Sequence, residues 1–149
     1  MAGAWLILPT YNEAQNLEPM VNAVLPQLRH GGAAPTILIV DDASPDGTGQ
    51  IADRLAAEHD EVRVLHRLSK DGLGRAYLAG FQAALDGGAE LILQMDCDFS
   101  HDPADVPRLI EAASSADVVL GSRYVPGGGV ENWALRRRIQ SRGGCAYAG

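Results

Sequence analysis

The sequence lacks several features that would place it in a specialised class of protein. Only two cysteines, Cys97 and Cys145, occur in 149 residues, too few for a disulfide framework, and they form no C-x-x-C metal pair. We therefore expect a reducing cytoplasm. No apolar run approaches the roughly 18 residues of a membrane-spanning helix. No signal peptide is expected either, because the apolar stretch Leu6–Leu8 is short and has no cationic flank.

Positive charge is also scarce. The chain has 12 Lys and Arg against 19 Asp and Glu, and its net charge is −7. Arg136–Arg138 is the one basic cluster, so the composition argues against a nucleic-acid partner. The length fits one domain, and the 46% hydrophobic and 21% charged residues are ordinary for a globular protein.

Short apolar runs alternate with helical patterns along the chain. The runs that we predict as strands are Ala4–Leu8, Thr36–Val40, Val62–His66, Glu90–Met95 and Asp117–Gly121. Apolar residues recur at helical spacing over 17–28, 73–85 and 106–113, and more weakly over Thr48–Glu58. This alternation predicts a doubly wound α/β fold with a mostly parallel sheet, in which the apolar stripes form the core.

Polar clusters follow three of these predicted strands. Pro9–Glu13 follows the first, Asp41–Thr48 the second, and Asp96-Cys97-Asp98 the fourth. In a doubly wound sheet, strands one to three usually extend to one side and strand four returns to the other side of strand one. Ligands bind beyond the carboxyl ends of the strands at that switch point. We therefore expect the three clusters to converge on one site.

Each cluster also has a simpler interpretation. Asn12, Asp46 or Thr48, and Asp98 or Asp102 could each cap a following helix, and Ser44–Gly47 could be an ordinary turn. Three acidic clusters at one sheet edge are harder to explain as caps, because crowded carboxylates destabilise a fold unless a cation or polar ligand partners them.

The missing glycine motifs narrow the class of ligand. Neither G-x-G-x-x-G nor G-x-x-x-x-G-K-[ST] follows the first strand, so a dinucleotide site and a P-loop are excluded at their defining position. Asp96 and Asp98 offer oxygen ligands that suit Mg²⁺ or Mn²⁺, which can hold a diphosphate. The acidic loops can accept hydrogen bonds from a ribose or a base. A metal site for the diphosphate together with acidic loops for the nucleoside favours a nucleoside diphosphate-sugar as the ligand.

Five segments together resemble a known family. They are Pro9–Glu13, Asp41–Thr48, Lys70–Tyr77, Met95–Pro103 and Gly121–Val125. In order and register they resemble the dolichol (polyprenol) phosphate mannose synthases, which are inverting family-two glycosyltransferases with the A-type, Rossmann-like fold. The resemblance covers nearly the whole chain. It implies transfer of mannose from GDP-mannose to a polyprenyl (dolichyl) phosphate, peripherally at the cytoplasmic face of a membrane; a membrane-anchoring domain or subunit is compatible with that activity.

The resemblance also implies roles for individual residues of the nucleotide site. Those expected to bind the nucleotide-sugar are Pro9, Tyr11, Glu13, Asp41, Asp42 and Asp96. Asp96, Asp98 and Ser100 are expected to hold Mg²⁺ or Mn²⁺, with Asp98 counted among the catalytic residues.

On the acceptor side, the resemblance implies that Arg123, Arg137 and Ser141 bind the lipid phosphate, Arg123 also being catalytic. Arg137 and Ser141 are a helical turn apart, and Trp133 lies one turn earlier. A phosphate monoester is already anionic near neutral pH and needs no general base, so we expect His101 to have a supporting role. Lys70 is expected either near the sugar-phosphate or as a solvated loop cation.

The sequence departs from the family pattern at Cys97, which is a small change, and more seriously towards its C-terminus. Cys97 replaces an alanine between the aspartates, and Cys145 stands where an asparagine is common. The family's catalytic domain extends further than the matched region, so we expect residues 1–149 to be a catalytic domain incomplete at its C-terminus. The alternatives are a non-catalytic nucleotide-sugar-binding fragment, or a glucosyl or aminoarabinosyl transferase that uses the same lipid phosphate.

Overall fold

The computed structural model describes residues 3–30 and 34–122. The strands are β1 (Gly3–Thr10), β2 (Ala34–Asp41), β3 (Val62–His66) and β4 (Leu91–Gln94), and the helices are α1 (Leu17–His30), α2 (Thr48–Glu58), α3 (Leu73–Asp86) and α4 (Val106–Ala112). A short 3₁₀ turn, Pro103–Asp105, precedes α4. Residues up to Val119 form one compact unit, and residues 120–122 belong to a second unit. None of the helices in the described residues has the length and apolar character that crossing a bilayer requires.

All four strands are parallel and lie in the order β3-β2-β1-β4. The chain therefore winds outward from β1 to β3 and returns to the opposite side of β1 with β4. In register, Thr10 lies beside Asp41 and Asp41 beside His66. This confirms the doubly wound α/β prediction and puts the switch point between β1 and β4, next to the loops that carry the polar clusters.

The two faces of the sheet have separate cores because the side chains of a strand alternate. Leu6 and Leu8 of β1 face α1, α2 and α4 in the larger core, whereas Trp5 and Ile7 face α3 in the smaller one. The predicted stripe of α1 is fully confirmed. Its buried residues are Leu17, Met20, Val21, Val24, Leu25 and Leu28.

The apolar stripe of α3 was predicted to be core, and that prediction is wrong at its ends. Ala76, Gly80 and Ala84 are buried, but Leu73 and Leu85 are 56% and 60% exposed. The reason is close approach: a Cβ on Gly80 would lie 2.5 Å from Ile7 Cγ2. The helix contacts the sheet through its small residues, so flanking leucines remain at the surface.

The predicted fifth strand is also wrong. Residues 117–121 form no strand, and Val118 is 75% exposed. Within the described residues, β4 pairs only with β1. A short apolar run has strand propensity, but it becomes a strand only where a neighbouring edge accepts its backbone hydrogen bonds.

Candidate functional site

A cavity of about 230 Å³ opens at the carboxyl ends of β1, β2 and β4. Its lining includes Pro9, Tyr11 and Glu13 from the end of β1 and the loop that follows, which we call the first loop (residues 11–16). Asp42 enters from the end of β2. The D-x-D loop (residues 95–102), which follows β4, contributes the predicted pair together with the cysteine between them: Asp96, Cys97 and Asp98. The three predicted clusters therefore do converge on one cavity.

Backbone strain lies in the same three loops. Among the described residues, the non-glycine residues with positive φ are Asn12 (φ 60°), Ala43 (φ 55°) and Phe99 (φ 58°). One follows each of β1, β2 and β4, directly beside a lining residue. Left-handed backbone in such residues costs roughly 1–3 kcal/mol and persists where the surroundings hold it, most often at functional sites.

The neighbouring aspartates at the end of β2 are both buried but have different partners. Asp42 forms an ion pair of 2.6 Å with Arg67, whose side chain is also largely buried. Asp41 accepts a hydrogen bond of 2.6 Å from the Ser44 hydroxyl and lies 3.8 Å from His66. Asp42 lines the cavity and Asp41 does not. Asp41 was predicted to bind the nucleotide-sugar, but in the structure its carboxylate is engaged by Ser44.

The Asp96 carboxylate is oriented by α3. The Tyr77 hydroxyl donates a hydrogen bond of 2.9 Å to Asp96 Oδ1, and burial, with the Asp96 bond adding to it, raises the pKa of Tyr77 above its usual range. Tyr77 therefore stays a hydrogen-bond donor at neutral pH. The backbone N–H of Asp96 donates to His101 Nδ1 at 3.3 Å, so this histidine supports the loop.

Asp98 is more exposed than Asp96 and is stabilised as a carboxylate. Hydrogen bonds from the side chain and the backbone N–H of Ser100, the latter 2.9 Å, lower the pKa of Asp98. Ser100, which was predicted as a metal ligand, thus contacts Asp98 and is absent from the cavity lining. Cys97 is buried between the aspartates, and that burial, reinforced by the charge of Glu13, raises the pKa of its thiol to about 12. It is therefore a neutral packing residue at physiological pH.

The negative charge of the cavity is only partly compensated. Within residues 3–30 and 34–122, no Lys, Arg or His forms an ion pair with Glu13, Asp96 or Asp98. Lys70 lines the cavity, but its ammonium lies 3.7 Å from the centre of the Tyr11 ring, in a cation–π contact.

The donor set fits a hard divalent cation that is shared with a ligand. No group of three or more Asp, Glu, His or Cys side chains that could hold a metal occurs in the described part of the chain. Mg²⁺ is commonly bound by one or two carboxylates together with substrate phosphates and waters, and Asp96 and Asp98 supply two such carboxylates.

Side chains of the segment Ser44–Thr48, which we call the 44–48 turn, hold the first loop. The N–H groups of Asn12, Glu13 and Ala14 donate to Ser44 Oγ (3.1 Å), Thr48 Oγ1 (2.9 Å) and Asp46 Oδ2 (3.1 Å).

Most of the capping interpretations are wrong. Asn12 precedes α1 by several residues, and the N-cap of α2 is Gly47, with no side-chain cap bond of its own. Asp46 Oδ1 does accept from the N–H of Thr48, the first residue of α2, at 3.1 Å. Asp98 bonds to Ser100 instead of capping. Asp102 does cap the 3₁₀ turn, accepting from the Ala104 N–H at 2.9 Å.

The predicted acceptor residues Arg123, Arg137 and Ser141, and Trp133 with them, lie outside the described residues. In contrast, sequence reasoning assigned no role to two residues at the site, Arg67 and Tyr77. Arg67 directly follows β3, so the rule that ligands bind at strand ends could have identified it. Tyr77 lies within the motif that carried the resemblance, but no pattern indicated its contact with Asp96.

Comparison with known proteins decides the family. Residues 5–147, almost the whole chain, match the sequence profile of glycosyl transferase family 2. The chain belongs to this family. The glycosyl transferase family 2 match includes the first loop, the 44–48 turn and the D-x-D loop.

Two curated relatives are about half identical to this family 2 chain. It is 50% identical over 141 residues to an undecaprenyl-phosphate mannosyltransferase of Micrococcus luteus, covering 95% of this chain and 56% of the relative. It is 49% identical over 145 residues to a polyprenol monophosphomannose synthase of Mycolicibacterium smegmatis, covering 96% and 53%. The chain thus spans about half the length of these relatives.

Solved structures confirm the A-type glycosyltransferase fold. A mannosyltransferase from Pyrobaculum calidifontis in complex with GDP-Man and Mn²⁺ matches with a TM-score of 0.56 and 25% identity, over 64% of this chain and 27% of that one.

Proposed function

We propose that this chain carries the nucleotide-sugar half of an enzyme that transfers mannose from GDP-mannose to a polyprenyl phosphate. The observation that carries the proposal is the cavity itself, which joins Glu13 to the D-x-D pair with no cation of the described residues paired to these carboxylates. The names of the two half-identical relatives support mannose as the sugar and a polyprenyl phosphate as the acceptor.

The nucleoside is assigned to the first loop. Glu13 and Tyr11 both line the cavity, and the half-buried Glu13 carboxylate accepts a hydrogen bond of 2.8 Å from the Asn16 side-chain amide at Oε2. The Watson–Crick edge of guanine carries two adjacent N–H donors, which a carboxylate can accept together, whereas uracil offers one. This chemistry favours GDP over UDP, in agreement with the GDP-Man bound to the structural neighbour from Pyrobaculum calidifontis.

The diphosphate is assigned to the D-x-D loop. Asp96 and Asp98 would hold Mg²⁺ or Mn²⁺, and the bound cation would offset charge on the departing diphosphate. Tyr77 keeps the Asp96 carboxylate oriented, and hydrogen bonds from Ser100 lower the pKa of Asp98 further. The Mn²⁺ in the structural neighbour supports a divalent metal.

The transfer needs no general base from this chain. An anionic oxygen of the acceptor phosphate attacks the anomeric carbon, the bond from that carbon to the GDP oxygen breaks, and its electron pair leaves with GDP, which inverts the anomeric configuration. His101 is therefore not needed as a base. Its Nδ1 instead accepts a hydrogen bond from the backbone N–H of Asp96, which supports the D-x-D loop. Arg123, Arg137 and Ser141 are proposed to bind the acceptor phosphate, Arg123 as a catalytic residue, at a membrane surface on the cytoplasmic side.

Nucleotide selectivity and transfer test the proposal. Only binding to the native state stabilises a protein against heat, so GDP should raise the unfolding temperature more than UDP does at equal concentration with Mn²⁺. Incubation with GDP-mannose and a short polyprenyl phosphate, followed by mass spectrometry of the lipid, should show a gain of one hexose. A larger shift with UDP would favour a glucosyl transferase. GDP binding without any transfer would favour a nucleotide-sugar-binding fragment.

A further inference from the structure

The 44–48 turn contacts the first loop through three consecutive backbone amides. Asn12, Glu13 and Ala14 each donate to a different side chain of the turn, over distances of 2.9 to 3.1 Å. The partners are 32 to 35 residues apart in sequence, so these bonds join the ends of β1 and β2.

The accepting hydroxyls are themselves fixed. Ser44 Oγ donates to Asp41 Oδ1 at 2.6 Å, and Thr48 Oγ1 donates to Asp46 Oδ1 at 2.6 Å. Because each hydroxyl hydrogen points at a carboxylate, each oxygen has its lone pairs free for the amide of the first loop. Thr48 is fully buried and Asp41 is 3% exposed, so the bond to the Glu13 amide is the most shielded of the three, whereas those to Asn12 and Ala14 are exposed.

The network holds a strained segment next to the cavity. Asn12 has φ 60°, and its two neighbours, Tyr11 and Glu13, line the cavity. Successive amides near a left-handed residue could otherwise bind an anion such as a phosphate. Here all three amides donate to side chains of the 44–48 turn. The first loop can therefore contact a ligand through its side chains and not through these amides.

We propose that Ser44, Asp46 and Thr48 are positioning residues, which set Tyr11 and Glu13 for the nucleoside by holding the three amides between them. This inference rests on the proposed function. Under this proposal the 44–48 turn contributes to the affinity for the nucleoside. The metal-dependent binding of the diphosphate depends on Asp96 and Asp98 and not on the turn.

The test measures GDP affinity by calorimetry, once with Mn²⁺ and once with EDTA, in the full chain. Thr48→Val removes the hydroxyl with little change in shape and leaves the Glu13 amide without its acceptor. We expect about tenfold weaker GDP binding in both conditions, so that the ratio of the two affinities stays at the wild-type value. Thr48→Ser keeps the hydroxyl and should restore GDP affinity to within about twofold.

Two further variants make the result independent of general destabilisation. Thr36→Val is the same substitution in β2 at the opposite, amino-terminal end of the sheet, and it should leave both affinities unchanged. Ser44→Ala removes the bond to Asn12 at a half-buried position and should weaken GDP binding in the same direction as Thr48→Val, again with an unchanged ratio.

The outcomes separate this inference from the proposed function. Wild-type GDP affinity in both Thr48→Val and Ser44→Ala would overturn the positioning role, as would a loss confined to the Mn²⁺ condition. If the wild-type chain bound GDP in neither condition, the proposed function itself would fail, and the positioning role with it.

Discussion

The Tyr77 hydroxyl donates a hydrogen bond of 2.9 Å to Oδ1 of Asp96. It links α3, at the residue that follows the cavity-lining Ala76, to the first aspartate of the D-x-D loop. The bond occupies one oxygen of the carboxylate and leaves Oδ2 for a ligand, so Tyr77 determines the direction in which Asp96 can coordinate.

Tyr77→Phe should therefore weaken Mn²⁺-dependent GDP binding. The Phe ring keeps the packing against Phe81, whose ring centre lies 6.0 Å away, and only the hydroxyl is lost. Hydrogen bonds to charged groups contribute about 1.5–3 kcal/mol, and since water can replace part of this, we expect a loss of about tenfold. Calorimetry with and without Mn²⁺ checks it. An unchanged metal-dependent affinity would show that Asp96 needs no orientation by Tyr77.

The contact of α3 with the sheet predicts opposite effects of one substitution at two glycines. Gly80→Ala adds a methyl group where Ile7 Cγ2 would be 2.5 Å away, and overpacking of this kind costs about 1–3 kcal/mol of unfolding free energy. Gly74→Ala, in the same helix, has no atom within 4 Å of the added carbon and should gain up to about 1 kcal/mol from helix propensity. Urea denaturation measures both. Equal effects of the two substitutions would contradict the close approach at Gly80.

The fold was largely predictable where the signal is local. The structure gives Thr48–Glu58 as a helix and Val62–His66 as a strand, with the bounds read from the sequence, because periodicity and turn residues act over a few positions. Residues 117–121 form no strand, although β4 pairs only with β1 among the described residues, because the propensity of a short apolar run does not by itself bring the segment to a sheet edge. The stripe of α3 was misjudged at Leu73 and Leu85, since periodicity does not show how closely a helix approaches its sheet.

The position of the site could be predicted from the sequence, but the contacts between its residues could not. Topology put the three acidic clusters at one edge of the sheet, and they do meet there. The ion pair between Asp42 and Arg67 depends on how β2 and β3 lie side by side, which composition does not encode. Likewise, the local sequence around Ser44 and Thr48 indicates a turn and a cap. Their partners in the first loop follow the neighbouring strand β1, more than 30 residues away in sequence.

The left-handed residue after Asp42 predicts a stabilising substitution. Ala43 has φ 55°, a conformation that glycine adopts without a Cβ penalty. Relief of that strain, less the greater entropy of glycine in the unfolded chain, should raise the free energy of unfolding of Ala43→Gly by about 0.5–1 kcal/mol. Ala57→Gly, at an exposed position of α2, should instead lose about 0.5–1 kcal/mol. Urea denaturation compares the two, and a loss at both positions would be evidence against strain at Ala43.

His66 predicts a pH dependence of stability. A hydrogen bond of 2.8 Å to Asp53 raises the pKa of His66 above its usual value of 6.5, and the charge of Asp41 adds to this. The stabilisation is thus fully present below pH 6.5 and is lost as the pH rises through the higher folded-state pKa. Because the side chain is 48% exposed, we expect less than about 1 kcal/mol.

Comparison of wild type with His66→Gln isolates this effect, since all other groups titrate in both. The difference in unfolding free energy should be larger at about pH 5.5 than at about pH 8.5. A difference that stayed constant, or that grew with pH, would show that His66 is not stabilised as a cation in the folded chain.

In the proposed function, the D-x-D pair, and not the first loop, binds the diphosphate through a divalent cation. The most direct measurement is a calorimetric titration of GDP in Mn²⁺ and in EDTA for wild type, Asp96→Asn and Asp98→Asn. Asp105→Asn is the matched control, an exposed aspartate paired with Arg108 at 2.7 Å. We expect Mn²⁺ to strengthen GDP binding in wild type and in the control. Both D-x-D variants should lose this gain and keep the affinity seen in EDTA. An undiminished gain from Mn²⁺ in both Asp96→Asn and Asp98→Asn would contradict this assignment.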